Sequence, residues 1–437
     1  MKKDCLILIE NNFYYKNQLK KILNRAVEKG YHAISIIPEK LLNDFLEDVS
    51  YQVIPVSDFE NKTLEKIISL IKAEYNIIGL STPLGYFKSD SSILLSAQVA
   101  KIAQNLNLPH NNSDALYNSH NKFLMREVLK ENHIYSVKFA LLECEEDIIE
   151  KSSQVGFPLI AKPVMGMASG FVSKCNNIYE LQEAYRFYKE NVRNAFYDIC
   201  YQYKYNNFNF DNANQLLVEE LIAGNEYSVE IFCDENKVLP LLIHEKFNVI
   251  ERNHCVYENI TVTPPFTLTE DEQKKICQYS IDIVKALGLK NCFCHLELRL
   301  DKCGQPSVIE VNPRVGGSRV RDNLEIYYNF KFEDIFISQA IGQPIKEFQK
   351  KYFNNHFAIS VIYPYEKGIL KSITGLAEVE SYHEVINAKR HYKDGEFING
   401  ENEEMFVVDI LHKGKSIEEI IENDNKFRNK IRINIKI

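Results

Sequence analysis

The most constraining stretch of the chain runs from Cys292 to Arg319, CFCHLELRLDKCGQPSVIEVNPRVGGSR. In its first arm Cys292, Cys294, Leu296, Leu298 and Leu300 alternate with Phe293, His295, Glu297 and Arg299, the period-2 pattern of a half-buried strand. Asp301-Lys302-Cys303-Gly304 is a turn signal. The second arm, Ser307 to Asn312, reads with Val308, Glu310 and Asn312 on one face and Ile309 and Val311 on the other. A turn centred on Cys303-Gly304 and free of bulges sets Glu297 opposite Glu310 and His295 opposite Asn312. Two carboxylates facing each other across an antiparallel pair repel, so a chain that keeps them needs a cation between them. Oxygen ligands of this kind suit Mg²⁺ or Mn²⁺ rather than zinc, and Mg²⁺ is usually held by one or two carboxylates plus substrate phosphates. A solvent-facing strand with two unrelated glutamates is the plain alternative. The run into Pro313, Arg314, Gly316 and Gly317 favours a phosphate–metal site.

A chain of 437 residues has room for two or three domains. With 45% hydrophobic and 26% charged residues it has the composition of a soluble globular protein. The net charge of -8 and the lack of a lysine- or arginine-rich block argue against a general nucleic-acid binder. The apolar run Cys5 to Ile9 is too short for a signal peptide or a membrane span. No later run approaches ~18 residues, so a cytoplasmic protein with no membrane partner is expected. The 10 cysteines are scattered through apolar segments, and neither Cys292/Cys294 nor Cys294/Cys303 has zinc-ligand spacing. Reduced, buried thiols are expected.

In order, Asp4 to Glu10 reads as a short buried strand. A helix from Tyr15 to Lys29 follows, with Leu19, Ile22, Leu23 and Ala26 on one stripe and Gly30 closing it. Tyr31 to Ile37, Leu64 to Ala73 and Ile77 to Leu80 continue as strand, helix and strand, an alternation that predicts a parallel, Rossmann-like sheet. No G-x-G-x-x-G follows the first strand, so it is not read as a dinucleotide site. Ser92 to Asn105 is an amphipathic cover helix, and Asn111-Asn112-Ser113 is a polar connector. Lys122 opens a helix that runs to Glu131. Ser153 to Pro163 reads as a strand with Lys162 near its end, followed by the loop Met165-Gly166-Met167-Ala168-Ser169-Gly170 and a strand from Phe171 to Lys174. Glycines between strands let N–H groups approach an anion, and the lysine adds a point charge. Most such turns bind nothing, and this one is not a Walker A loop. The aromatic segment Phe196 to Gln215 has no clean period and reads as a loop or small lid. Leu216 to Ile222 and Glu226 to Cys233 read as a hairpin around Ala223-Gly224-Asn225; Val238 to Lys246 extends its sheet, and Gln273 to Leu287 is a helix. Beyond Phe353 come strands at Phe357 to Ile362 and Glu404 to Ile410, then a helix from Ser416 to Lys430.

The ordered set Lys122, Lys162 with its small-residue loop, Glu219 to Glu226, and Glu297, Glu310, Asn312 and Arg314 resembles an ATP-grasp domain over roughly residues 115 to 345. With the units before and after it, the chain is similar to the L-amino acid ligases among carboxylate–amine ligases, of the bacilysin-synthetase and carnosine-synthase kind. The resemblance implies an α/β and α+β multidomain chain. Its parts would be a Rossmann-like domain over 1–114, an ATP-grasp fold of two α+β subdomains over 115–345, divided near 225, and a β-rich C-terminal lid or substrate segment over 346–437.

The same resemblance implies ATP and two Mg²⁺ ions held by Glu297, Glu310 and Asn312, with Mn²⁺ able to substitute. Lys122 and Lys162 would contact the ATP phosphates under the loop of Gly166, Ser169 and Gly170. Glu219, Leu221 and Ile222 would belong to the segment holding adenine, and Glu226 would bind the ribose. Arg314, with Gly316 and Gly317, would bind the carboxylate that becomes an acyl phosphate. Lys246 would be a further cation for nucleotide or substrate. Catalysis would rest on Lys162, Glu310 and Arg314. His295 departs from many members and is either a substrate contact or a core or supporting histidine. The implied activity is ADP-forming amide- or peptide-bond synthesis from a small carboxylate and an amine, amino acids first among them, with a homodimer as the default assembly. Two alternatives stand beside it: activation of bicarbonate or another carboxylate, and a nucleotide-binding regulatory module without turnover. The identity of acid and amine is not legible, nor are the roles of Arg319, Arg321, Tyr363, Tyr365 and His391.

Overall fold

The computed structural model describes residues 2–11, 16–45, 50–83, 94–166, 169–194, 202–252, 255–345, 347–400 and 404–437. The chain begins with a parallel sheet of β1 (Asp4–Ile9), β2 (His32–Pro38), β3 (Gln52–Val56) and β4 (Asn76–Ser81), in the order β3-β2-β1-β4. This is the expected Rossmann-like unit. Cys5, Ile7 and Ile9 face the helices Asn61–Glu74 and Leu95–Asn105, while Leu6 and Leu8 face Leu19, Ile22, Leu23 and Ala26 of Lys16–Glu28. Both faces are covered, which is why β1 is apolar without alternation. The starts expected at Tyr15 and Ser92 lie outside the described residues. Asn112, read as a connector, instead caps a helix, Ser113–His120, by accepting from the Asp114 N–H. Asn121 caps the next helix, Lys122–Glu131, in the same way.

The following unit is an antiparallel sheet of β5 (Phe139–Leu142), β6 (Leu159–Pro163), β7 (Ser173–Cys175) and, later in the chain, the strand Leu216–Glu220. Residues 153–155, expected in a strand, end the helix Ile148–Val155, which Gly156 closes at φ 90°. The aromatic segment expected to be a loop holds a hairpin in its described part, β8 (Gln202–Tyr205) with β9 (Phe208–Asp211). Phe208 and Phe210 pack edge-on against Phe123, so its aromatics go into packing. Leu216–Glu220 is β10, and the order is β5-β10-β6-β7.

Next come β11 (Asn225–Cys233), β12 (Val238–Arg252), β13 (Cys255–Thr263), β14 (Cys292–Leu300), β15 (Pro306–Asn312), β16 (His356–Ile362), β17 (Lys367–Thr374), β18 (Val385–Arg390), β19 (Phe397–Asn399), β20 (Val408–Gly414) and β21 (Arg432–Lys436). Eight of them form one sheet, β15-β14-β11-β12-β13-β16-β20-β18, and β19-β17-β21 form another. The C-terminal strands therefore extend the sheet that carries the Cys292–Arg319 hairpin. The strand expected from Glu404 begins at Val408; Met405 and Val407 are buried ahead of it, in the core rather than the ladder.

One expectation about connectivity fails. β10 and β11 are not a hairpin: β10 pairs with β5 and β6, and β11 pairs with β12 and β14. Residues 221–224 carry the chain from one sheet to the other. Gly224 sits at φ 104°, where an added Cβ would lie 1.9 Å from the Leu300 carbonyl oxygen, so only glycine fits this crossing.

Candidate active site between two sheets

The β14–β15 ladder puts Glu297 opposite Glu310 and His295 opposite Asn312, as the sequence reading expects. The route there differs. The turn is one residue tighter, pairing Leu300 with Pro306, and a bulge between Glu297 and Leu298 restores the register at the glutamates. The bulge also turns Val308 into the core beside Val311, while Ile309 joins Glu310 and Asn312 along the cleft. The expected face of Val308 is thus corrected.

The cleft lies between the β10 sheet and the eight-stranded sheet and has a volume of about 1160 Å³. Every residue given a site role from the sequence lines it, as do Arg319, Arg321, Tyr363 and His391, whereas Tyr365 does not. Its charged groups are paired across large sequence distances. Lys122 Nζ lies 2.7 Å from Glu310, and the Lys122 N–H donates to the Val164 carbonyl at 2.9 Å. Asn312 Nδ2 donates to the other Glu310 oxygen at 2.7 Å. Lys162 Nζ meets Glu219 at 2.5 Å, and Arg126 Nε meets the second Glu219 oxygen at 2.7 Å. Burial works against the charge on Glu219, but Arg126 and Lys162 outweigh it and bring its pKa to about 2. Burial pushes Lys162 below its ordinary value, aided by Arg126 and Lys122 and opposed by Glu219.

Lys246 Nζ is ringed by Glu226 at 2.9 Å, Glu258 at 2.5 Å and Glu297 at 3.1 Å. Burial alone would lower its pKa; the three carboxylates raise it well above its ordinary value. Glu226 also accepts from Arg299 Nε at 3.0 Å, and Arg299 Nη1 donates to the Ile222 carbonyl at 2.9 Å. Both nitrogens of His295 are engaged, Nδ1 with Glu230 and Nε2 with Glu297 at 3.0 Å. Although burial opposes it, these carboxylates raise its pKa to about 9. Glu230 in turn accepts from the Gly316 N–H at 3.1 Å. A Cβ at Gly316 would lie 2.7 Å from His295 Nδ1, so this glycine lets the backbone sit on the histidine. Of the two readings of His295, the geometry favours support of Glu297.

The donor set at Glu297, Glu310 and Asn312 is all oxygen apart from the amide nitrogen, and lysines hold both carboxylates ionised. Burial raises Glu310, but Lys122 draws it below its usual range. This fits a hard divalent cation. Beyond β6, Gly170 makes an isolated antiparallel bridge with Cys255 of β13, and its neighbours Ser169 and Phe171 adopt left-handed φ of 48° and 61°. Residues 167 and 168 of this loop lie outside the described residues.

Several site residues escaped the sequence reading: Arg126, Glu230, Glu258, Glu404 and Asp409. Arg126 had a signal, lying one helical turn after Lys122. Glu230 lies two residues after Ser228 on the cleft-facing side of β11. Glu404 and Asp409 had none, because strands far along the chain bring them in.

Residues 155–322 match the ATP-grasp domain family. The chain carries an ATP-grasp domain. An uncharacterized protein of Sinorhizobium fredii, y4rH, is 24% identical over 341 residues, covering 78% of this chain and 64% of that protein. The crystal structure of an L-amino acid ligase from Bacillus licheniformis superposes with a TM-score of 0.78 at 22% identity, covering 100% of both chains. The biotin carboxylase domain of Hydrogenobacter thermophilus 2-oxoglutarate carboxylase, in complex with MgADP, ADP and bicarbonate, gives a TM-score of 0.68 at 15% identity, covering 100% of this chain and 92% of that one. These likenesses show that the fold of the whole chain is shared with these proteins. No helix among the described residues is long and apolar enough to cross a membrane.

Proposed function

We propose that the chain is an ATP-dependent, ADP-forming ligase that joins the carboxylate of one amino acid to the amine of another through an acyl phosphate. The observation that carries this reading is the facing pair Glu297 and Glu310, with Lys122, Lys246 and Arg314 lining the same cleft. Glu297, Glu310 and Asn312 would hold Mg²⁺, which when bound neutralises charge between phosphate oxygens. Lys122 and Lys162 would face the phosphates, and Glu219, already bound to Arg126, would fix Lys162 in place. Leu221 and Ile222 would meet the adenine, and Glu226 the ribose. Gly166, Ser169 and Gly170 would cover the phosphates, Lys246 would set the positions of Glu226 and Glu297, and His295 would orient Glu297. Arg314, with the backbone at Gly316 and Gly317, would hold the carboxylate in line with the phosphoryl group being transferred. A carboxylate has no good leaving group; phosphorylation supplies one, and the enclosed cleft keeps water from it.

The likeness to a biotin carboxylase domain supports a second reading, in which bicarbonate is the acid. One experiment separates them: screening amino-acid pairs and bicarbonate with MgATP, reading ADP and phosphate release and product mass. A dipeptide with stoichiometric ADP is the expected outcome. ADP release stimulated by bicarbonate alone would transfer the assignment to the second reading.

A further inference from the structure

Immediately after Gly317, the cleft wall meets the C-terminal strands. Asp409 on β20 is 1% exposed. It accepts from Arg319 Nε at 2.7 Å, Ser318 Oγ at 3.3 Å and His391 Nε2 at 2.8 Å. Burial opposes its charge, but His391 and Arg319 outweigh this and hold Asp409 below the usual carboxylate range. An ionised Asp409 can only accept, so Nε2 is the donor in this contact, and in the neutral ring the lone pair lies on Nδ1. No described residue makes a hydrogen bond to Nδ1.

His391 is held in place from three sides. It follows directly on β18, its N–H donates to the Val407 carbonyl at 3.0 Å, and its ring stands edge-on to Phe406 at 4.8 Å. The charged groups around it are Asp409 from β20, Arg319 from the loop before the helix Val320–Tyr328, and Lys389 and Arg390 from its own strand. Arg390 is turned to Asp394 at 2.5 Å. Two histidines line the cleft among the described residues, His295 and His391. Both nitrogens of His295 are committed to glutamates, and Lys122, Lys162 and Lys246 are ion-paired.

The ligase reading leaves one chemical need unmet. An amino acid's amine is an ammonium ion at neutral pH and has no lone pair for attack. We propose that His391, oriented by Asp409, is the general base that takes this proton. It rests on the ligase reading. Nδ1 accepts one proton from the ammonium, and the freed nitrogen lone pair forms the bond to the acyl carbon; the second proton passes from the resulting NH₂⁺ group to the departing phosphate. The bond from that carbon to the phosphate oxygen breaks, and phosphate leaves with the electron pair. The imidazolium then returns its proton to phosphate or water. Asp409 is a positioning residue, setting the tautomer through Nε2.

Hydroxylamine tests this because it is already neutral at pH 7 and traps an acyl phosphate as a hydroxamate without a base. Wild type, His391→Gln and His391→Ala would each receive MgATP and the twenty proteinogenic amino acids, with and without hydroxylamine. Both variants should form hydroxamate at close to the wild-type rate while dipeptide formation at pH 7 falls by about 10²-fold or more. Raising the pH toward the amine's own pKa should restore dipeptide synthesis in both, and added imidazole should restore it in His391→Ala. Equal loss of hydroxamate and dipeptide, or no loss of dipeptide, overturns the proposal while leaving the ligase reading intact. If wild type forms no hydroxamate with any amino acid, the ligase reading falls and takes the proposal with it.

Discussion

The inner walls of the cleft and a second wall at its C-terminal end hold their charges in different ways. On the inner walls, β6 of one sheet and β12 of the other, Lys162 and Lys246 have side chains only 6% and 2% exposed and are locked to glutamates from neighbouring strands. On the second wall, built from residues 314–321 with β18 and β20, Asp409 is buried but Arg321 and His391 are each 22% exposed. Breaking a buried pair strands a charge away from water, whereas a half-exposed pair contributes little. The inner walls are therefore a fixed frame, whereas Arg321 and His391 of the second wall can be replaced at less cost to folding.

The largest expected effect tests that frame. Glu219→Gln leaves Arg126 and Lys162 buried without their anion and should destabilise the protein by roughly 3–5 kcal/mol in urea unfolding. Glu333→Gln, whose partner Arg321 lies 3.7 Å away, should cost less than about 1 kcal/mol. Equal losses would erase the distinction between the walls. Next, Glu310→Gln should lower ADP release by about 10²- to 10³-fold with the fold intact; near-normal turnover would remove Glu310 from the site. Arg314→Ala should reduce carboxylate-dependent ADP release by about 10- to 100-fold and leave ATP affinity nearly unchanged, whereas weak ATP binding would move Arg314 to the nucleotide. The smallest effect concerns the sheet extension behind the second wall. Buried His412, hydrogen-bonded to Ser360 at 3.0 Å, has its pKa lowered by burial from 6.5 to about 3. Between those values the unfolded chain binds a proton that the folded chain refuses, so stability falls as pH falls, by at most about 1.4 kcal/mol per pH unit. His412→Gln should flatten that slope; an unchanged slope would show that His412 does not contribute to it.

What the sequence revealed depended on distance along the chain. The hairpin was legible because alternation and a turn signal sit within about twenty residues. Even so, the Glu297–Glu310 pairing came out right through two offsetting one-residue deviations, and Val308 shows the cost of missing the bulge. β10 and β11 looked like a hairpin because both are apolar strands around a glycine. Nothing local reveals that each has better partners in a different sheet. Glu219 read as part of an adenine-holding segment, yet its side chain is consumed by Lys162 and by Arg126, 93 positions away. Arg319 and His391 stood out without roles, because their grouping with Asp409 needs β18 and β20 to join the sheet that begins at β11. Local periodicity writes elements; long-range pairing writes sites.

The contact between Gly170 and Cys255 makes the cleft a passage with a crossbar rather than an open trench. Breaking that backbone bridge would cost on the order of 1–3 kcal/mol. Ser169 and Phe171, both left-handed, flank the bridge and bear the strain of holding it. In the ligase proposed above, release of nucleotide would wait on this bridge, and substitutions beside it would change turnover without touching a reacting atom.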